Sequence, residues 1–147
     1  MHTETLPLDE TDCFSQFFLD YINQKETLQP FYSAFPKIEN FEQTIKSRNF
    51  QDHNRKVLVD VLKKQYQNIE PTPSVEENIT LLESDKTFTI TTGHQLNIFT
   101  GPLYFIYKIV TVVNTCKSLS LKYPNYNFVP VYWMASEDHD FDEINHF

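Results

Sequence analysis

Thr87-Phe88-Thr89-Ile90-Thr91-Thr92-Gly93-His94-Gln95-Leu96-Asn97-Ile98-Phe99-Thr100-Gly101-Pro102 is the stretch on which the fold turns. Its first six residues are β-branched or aromatic and predict a strand over 87–92. Pro102 suits the first position of a helix, because its fixed φ is already helical and its missing N–H would have no partner there. Between strand and helix lie Gly93 and Gly101, the only two glycines in 147 residues. Ordinary usage would supply roughly ten, scattered over turns and helix ends. Glycine allows backbone angles and close approaches that a β-carbon forbids. The Gly93 to Gly101 segment is therefore expected to be a loop that seats a ligand.

Downstream, Leu103, Phe105, Ile106, Ile109, Val110, Val112, Val113 and Leu119 make the region from Pro102 to Lys122 apolar nearly all round. Only a narrow stripe of Lys108, Thr111, Thr115, Ser118 and Lys122 is polar, so this helix is expected to be mostly buried. Pro124 and Asn125 end it, and Asn127 to Met134 reads as a second strand. Strand, helix, strand over about fifty residues is a βαβ unit, which implies a parallel pair with a right-handed crossover. Cys116, inside the apolar helix, reads as a small buried hydrophobe.

Upstream, the pattern is helical. Phe14, Phe17, Phe18, Tyr21 and Ile22 recur at helical spacing after Asp12, a candidate N-cap. Pro30 and Pro36 interrupt around Phe31, Tyr32 and Phe35, and a short helix follows near Glu39 to Ser47. The stripe Val57, Leu58, Val61, Leu62, Tyr66 and Ile69 predicts a longer helix closed by Pro71 and Pro73. Ser74 and Glu77 form an S-x-x-E capping box for another helix through Val75, Ile79 and Leu82. The expected organisation is a mainly helical segment over 1–86 packed on the core, then the first βαβ part of an α/β domain over 87–147.

In open α/β sheets, ligands bind beyond the carboxyl ends of the strands. There the first strand presents Gly93, His94, Gln95 and Asn97, and the second presents Glu137, Asp138, His139 and Asp140. His94 has the chemistry of an acid, a base or a phosphate donor, while Gln95 and Asn97 can orient a polar ligand. The acids and histidines of residues 137–146 suit acid–base work. A solvated acidic loop and a capped tight turn are the plainer alternatives. The helix start at Pro102 to Tyr104 offers N–H groups to an anion, with Lys108 within reach of the same loops. The interval from His139 to His146 matches no zinc signature, so no metal site is assigned.

Composition bounds the function. A net charge of −8 argues against a nucleic-acid surface. No signal peptide opens the chain, no apolar run has the length of a membrane span, and the cysteines lack redox spacing. A reducing cytoplasm fits. Since two strands cannot make a stable α/β sheet alone, these residues are expected to be part of a longer protein.

The segments TTGHQLNIFTGPLYFIYK and FVPVYWMASEDHDFDEINHF, with the opening LPLDETDCFSQFFLDYI, resemble the BshC family, assigned as cysteine ligases of bacillithiol biosynthesis. The resemblance covers essentially the whole chain and would make it the N-terminal portion of that family's proteins. It implies a Rossmann-like core of the nucleotidyltransferase-like kind, with connecting insertions and a C-terminal coiled coil that pairs two subunits. The implied reaction joins cysteine to the amine of glucosaminyl-malate. By position, Gly93, His94, Gln95 and Asn97 fall in the family's glycine-bearing motif and Glu137 to Asp140 in its acidic one. On this basis His94, Glu137, Asp138, His139 and Asp140 are the catalytic candidates. Gly93, Gln95, Asn97, Gly101, Tyr104 and Lys108 are the candidates for substrate binding. The wider superfamily's H-x-G-H signature is absent, because no second histidine stands near Gly101. Use of ATP or another nucleotide is thus an analogy only. Two other readings stand beside the ligase: a non-catalytic nucleotide- or sugar-binding subunit, and a metal-assisted hydrolase built on the acidic loop.

Overall fold

The computed structural model describes residues 4–137 and Asn145. The chain divides between Arg48 and Asn49 into two compact units. In the first, helix α1 (Gln16–Ile22) is capped by Ser15, whose hydroxyl accepts from the Phe18 N–H at 3.3 Å. Asp12 instead adopts a left-handed backbone with φ 54° ahead of the helix, so the cap lies three residues later than the sequence suggested. Three 3-10 turns accompany α1 and α2 (Phe41–Ser47). Tyr21, Tyr32 and Phe35 pack ring against ring at 5.3–6.2 Å, whereas Phe31 is exposed.

The second unit carries two helices, α3 (Asp52–Gln65) and α4 (Pro73–Leu81), ahead of the strands. The buried side of α3 is Arg55 and Val59, with Leu58, Leu62 and Tyr66 half-buried beside them. Val57 and Val61, which dominated the sequence stripe, are exposed at 49% and 43%. The stripe was therefore rotated: a face centred on Val59 also satisfies the 3.6-residue period, and packing chose it. Pro73 opens α4 after Thr72, and no side chain caps that helix, so the Ser74–Glu77 box is not used. Proline's pre-set φ places the start two residues earlier, leaving Ser74 inside the first turn.

Strands β1 (Thr87–Gln95) and β2 (Asn127–Ala135) pair in parallel from Thr87↔Asn127 to Gln95↔Ala135. Helix α5 (Leu103–Lys122) makes the crossover between them. This is the anticipated βαβ unit. Side chains alternate across the pair. On one face Val129 joins Val59, Ile79 and Leu82 in a core, with Leu62, Val75 and Val131 around it. On the other, Phe88, Phe128, Tyr132 and His94 meet aromatic partners, including Phe105 of α5. The pair thus sits between α3–α4 and α5.

Two expectations need correction. Gly93 and His94 belong to β1 and not to a loop, because Thr92 to Gln95 continues the ladder opposite Tyr132 to Ala135. Helix α5 buries only Val112, Cys116 and Leu119, while Leu103, Ile106, Tyr107, Val110 and Leu121 are exposed at 42–86%. A two-stranded sheet covers one face of such a helix; its remaining apolar residues have no described neighbour to bury them. No helix among the described residues is long and apolar enough to cross a membrane.

Candidate functional site

The amino ends of the strands are closed. Thr87, Phe128 and Val129 are buried, and the Thr87 hydroxyl donates to the Leu81 carbonyl. Arg55, only 7% exposed, sends its guanidinium to the carbonyls of Leu82 at 3.3 Å, Asp85 at 3.4 Å and Thr87 at 3.1 Å. These acceptors include the last turn of α4, where the helix dipole is negative and carbonyls lack helical partners. Sequence reasoning missed Arg55, because a lone arginine in an amphipathic helix reads as solvated. Its signal was the four-residue spacing to Val59.

The carboxyl ends are where polar side chains gather. His94 projects from β1 toward the start of α5. Its Nδ1 lies 3.0 Å from the Gln95 carbonyl and its Nε2 lies 2.9 Å from the Tyr104 hydroxyl. A carbonyl only accepts, so Nδ1 carries the proton; in the neutral ring Nε2 is then an acceptor and the phenol donates to it. Phe105 stands edge-on to the imidazole at 5.9 Å and to Tyr132 at 5.5 Å. The Tyr132 hydroxyl donates to the His94 carbonyl at 3.5 Å. One turn into α5, Lys108 donates to the Gly93 carbonyl at 3.2 Å and lies 5.4 Å from the centre of the Tyr104 ring. Tyr104 and Lys108 share a helix face by their i,i+4 spacing, which brings both to the strand end. The N-cap of α5 is Pro102, one residue before the first helical residue, and no side chain caps it.

Each glycine has a local explanation. A β-carbon on Gly93 would lie 3.0 Å from the Trp133 carbonyl and 3.2 Å from its β-carbon, so Gly93 lets the two strands close on each other. Gly101 ends a run of three left-handed residues, Phe99, Thr100 and Gly101, with φ of 51°, 69° and 61°. A β-carbon there would meet the Asn97 carboxamide at 2.8 Å. Asn97 in turn donates to the Gln95 carbonyl at 3.3 Å. The glycines thus shape the strand pair and the turn before α5; neither is held open for a ligand by its own geometry.

The structure therefore gathers Gly93, His94, Gln95, Tyr104 and Lys108, with Asn97 and Gly101 in the adjoining turn. Glu137 accepts from the Trp133 indole at 3.4 Å. Asp138, His139 and Asp140 lie outside the described residues. Among the described residues no three His, Cys, Asp or Glu side chains converge as a metal set. Phe105 was read only as apolar periodicity and Tyr132 only as part of a strand, yet Phe105 packs on the imidazole and Tyr132 on Phe105. The register opposing Thr92 to Tyr132 was the missing information.

Comparison with known proteins places this geometry in a family. Residues 1–147 match the family described as bacillithiol biosynthesis BshC, N-terminal Rossmann-like domain. A protein of Flavobacterium psychrophilum named "Putative cysteine ligase BshC" is 56% identical over the whole chain, and one of Flavobacterium johnsoniae with the same name is also 56% identical. A similarly named protein of Chlorobaculum tepidum is 36% identical over 90% of the chain, which covers 24% of that relative. The chain spans 28% of the length of the two Flavobacterium relatives. The family's Rossmann-like domain agrees with the parallel β1–β2 pair and its crossover helix. The chain belongs to the BshC family of bacillithiol biosynthesis, as its N-terminal Rossmann-like domain.

Proposed function

We propose that this chain contributes the amino-terminal part of the active site of a ligase that joins the cysteine carboxyl to the amine of glucosaminyl-malate. The observation that carries the reading is His94. Its Nδ1–H is anchored on a backbone carbonyl and its Nε2 is directed to the strand end beside Tyr104 and Lys108. A neutral imidazole so held can take the proton that the attacking amine must lose. The uncapped start of α5, with Lys108 nearby, Gln95 at the end of β1 and Asn97 in the turn after it, suits an anionic group such as the malate carboxylates. The family's shared name supports the ligase class. Glu137 to Asp140, which follow β2 in the sequence, are assigned the second half of this site. Activation of the cysteine carboxylate is assigned to groups other than these. The complete enzyme works in the cytoplasm as a homodimer paired through its C-terminal coiled coil.

Isothermal titration of glucosaminyl-malate into full-length protein tests the assignment, with His94→Ala and Asp138→Asn beside the wild type and turnover followed in parallel. The reading expects turnover lost in His94→Ala and both affinity and turnover reduced in Asp138→Asn. Unchanged binding and turnover in both variants would refute it.

A further inference from the structure

We infer that Tyr104 is a positioning residue for His94 and not a ligand of the substrate. The inference rests on the reading of His94 as the base. Both ring nitrogens of His94 are occupied, Nδ1 by the Gln95 carbonyl and Nε2 by the Tyr104 hydroxyl. An imidazole bonded at both nitrogens has one tautomer and one ring orientation, which is what proton transfer along a defined direction requires. The Tyr104 ring is itself held. Its centre lies 5.2 Å from the His94 ring and 5.4 Å from the Lys108 ammonium, which is tied to the Gly93 carbonyl on the same strand.

The hydroxyl suits both states of its partner. While the ring is neutral it donates to Nε2; once Nε2 has taken a proton, the same oxygen turns and accepts from the new N–H. A phenol can fill both roles, since it carries a donor and acceptor lone pairs on one atom. Tyr104 thus holds the ring in register until the amine arrives: the phenol yields Nε2 while the amine passes its proton over, and returns as the acceptor of the new N–H. A direct substrate ligand would have its hydroxyl free to face the ligand; here it faces His94.

The test is 15N spectroscopy of ring-labelled histidine in full-length protein, at a pH where His94 is neutral, together with the kinetics of Tyr104→Phe. His94→Gln identifies the resonance. The wild type is expected to carry its proton on Nδ1, and Tyr104→Phe to shift the Nε2 resonance toward that of an unbonded acceptor. In the same variant kcat falls by about tenfold while KM stays within about twofold. Tyr104 is half exposed, and removing one oxygen leaves its ring packing intact. A wild-type ring protonated at Nε2 overturns the inference, as does a variant in which KM rises and kcat is unchanged. Full turnover in His94→Gln overturns the base assignment beneath it and the positioning role with it, whatever the tautomer.

Discussion

The two ends of the β1–β2 pair are built from the same strands and differ in almost everything else. At the amino end Thr87, Phe128 and Val129 are buried, and Arg55 spends its guanidinium on three backbone carbonyls. At the carboxyl end Tyr132, Trp133 and Met134 are exposed, His94 bonds Tyr104, Lys108 bonds the Gly93 carbonyl and Glu137 accepts from Trp133. Helix α5 follows the same gradient because it runs back along the pair. Its buried residues Val112, Cys116 and Leu119 lie from its middle onward, and its exposed Leu103, Ile106 and Tyr107 lie near its start, with Leu121 exposed again at its end. One end holds the fold together. The other leaves polar groups where a ligand can reach them.

Substitutions can break that contrast. Leu119, with no exposed surface, should cost about 4 kcal/mol when changed to Ala, through lost burial and the cavity left behind. Urea unfolding reads this as a lower midpoint at unchanged slope. Arg55→Met leaves three carbonyls without their donor and should cost about 3 kcal/mol. Exposed pairs such as Lys63–Glu83, 2.9 Å apart, set the contrast: deleting that pair should cost under about 1 kcal/mol. At the carboxyl end, Gly101→Ala forces a β-carbon onto Asn97 at a positive φ and should cost about 1–2 kcal/mol.

The smallest expected effect is a titration. Burial pushes the Cys116 thiol above its ordinary range, with a backbone hydrogen bond at Ile90 opposing the shift. The folded state therefore holds its proton when the unfolded chain has begun to lose it. This contribution to stability is complete below the ordinary thiol range and is lost as the pH rises through the folded value. A thiol reagent at neutral pH should label the exposed Cys13 promptly and Cys116 only after unfolding. Equal rates at both would mean that the α5 face of the sheet opens readily.

Much of this architecture was legible because its signals are local. A β-branched run, a Pro-led apolar helix and a second apolar run are enough for a βαβ unit. What escaped was decided across the chain. The strand ends at Gln95 and not at Thr92 because Tyr132 to Ala135 lie opposite to pair with it. Val59 outcompetes Val57 for the interior because Ile79, Leu82 and Val129 meet there. Of the candidate site, His94, Tyr104 and Lys108 were all named in advance, the last two from their place at the start of α5. Tyr104 faces the imidazole, and each glycine has a local geometric explanation. Glu137 pairs with an indole that the sequence offered only as part of a strand.

The most direct test of this division of labour compares His94→Gln with Arg55→Met in full-length protein, measuring turnover of the proposed substrates, cysteine and glucosaminyl-malate, per folded molecule beside the unfolding midpoint. The account predicts that His94→Gln lowers turnover by about 100-fold or more at an unchanged midpoint, while Arg55→Met lowers the midpoint and leaves the turnover of the folded fraction within about twofold. Turnover in His94→Gln within about threefold of wild type would contradict it.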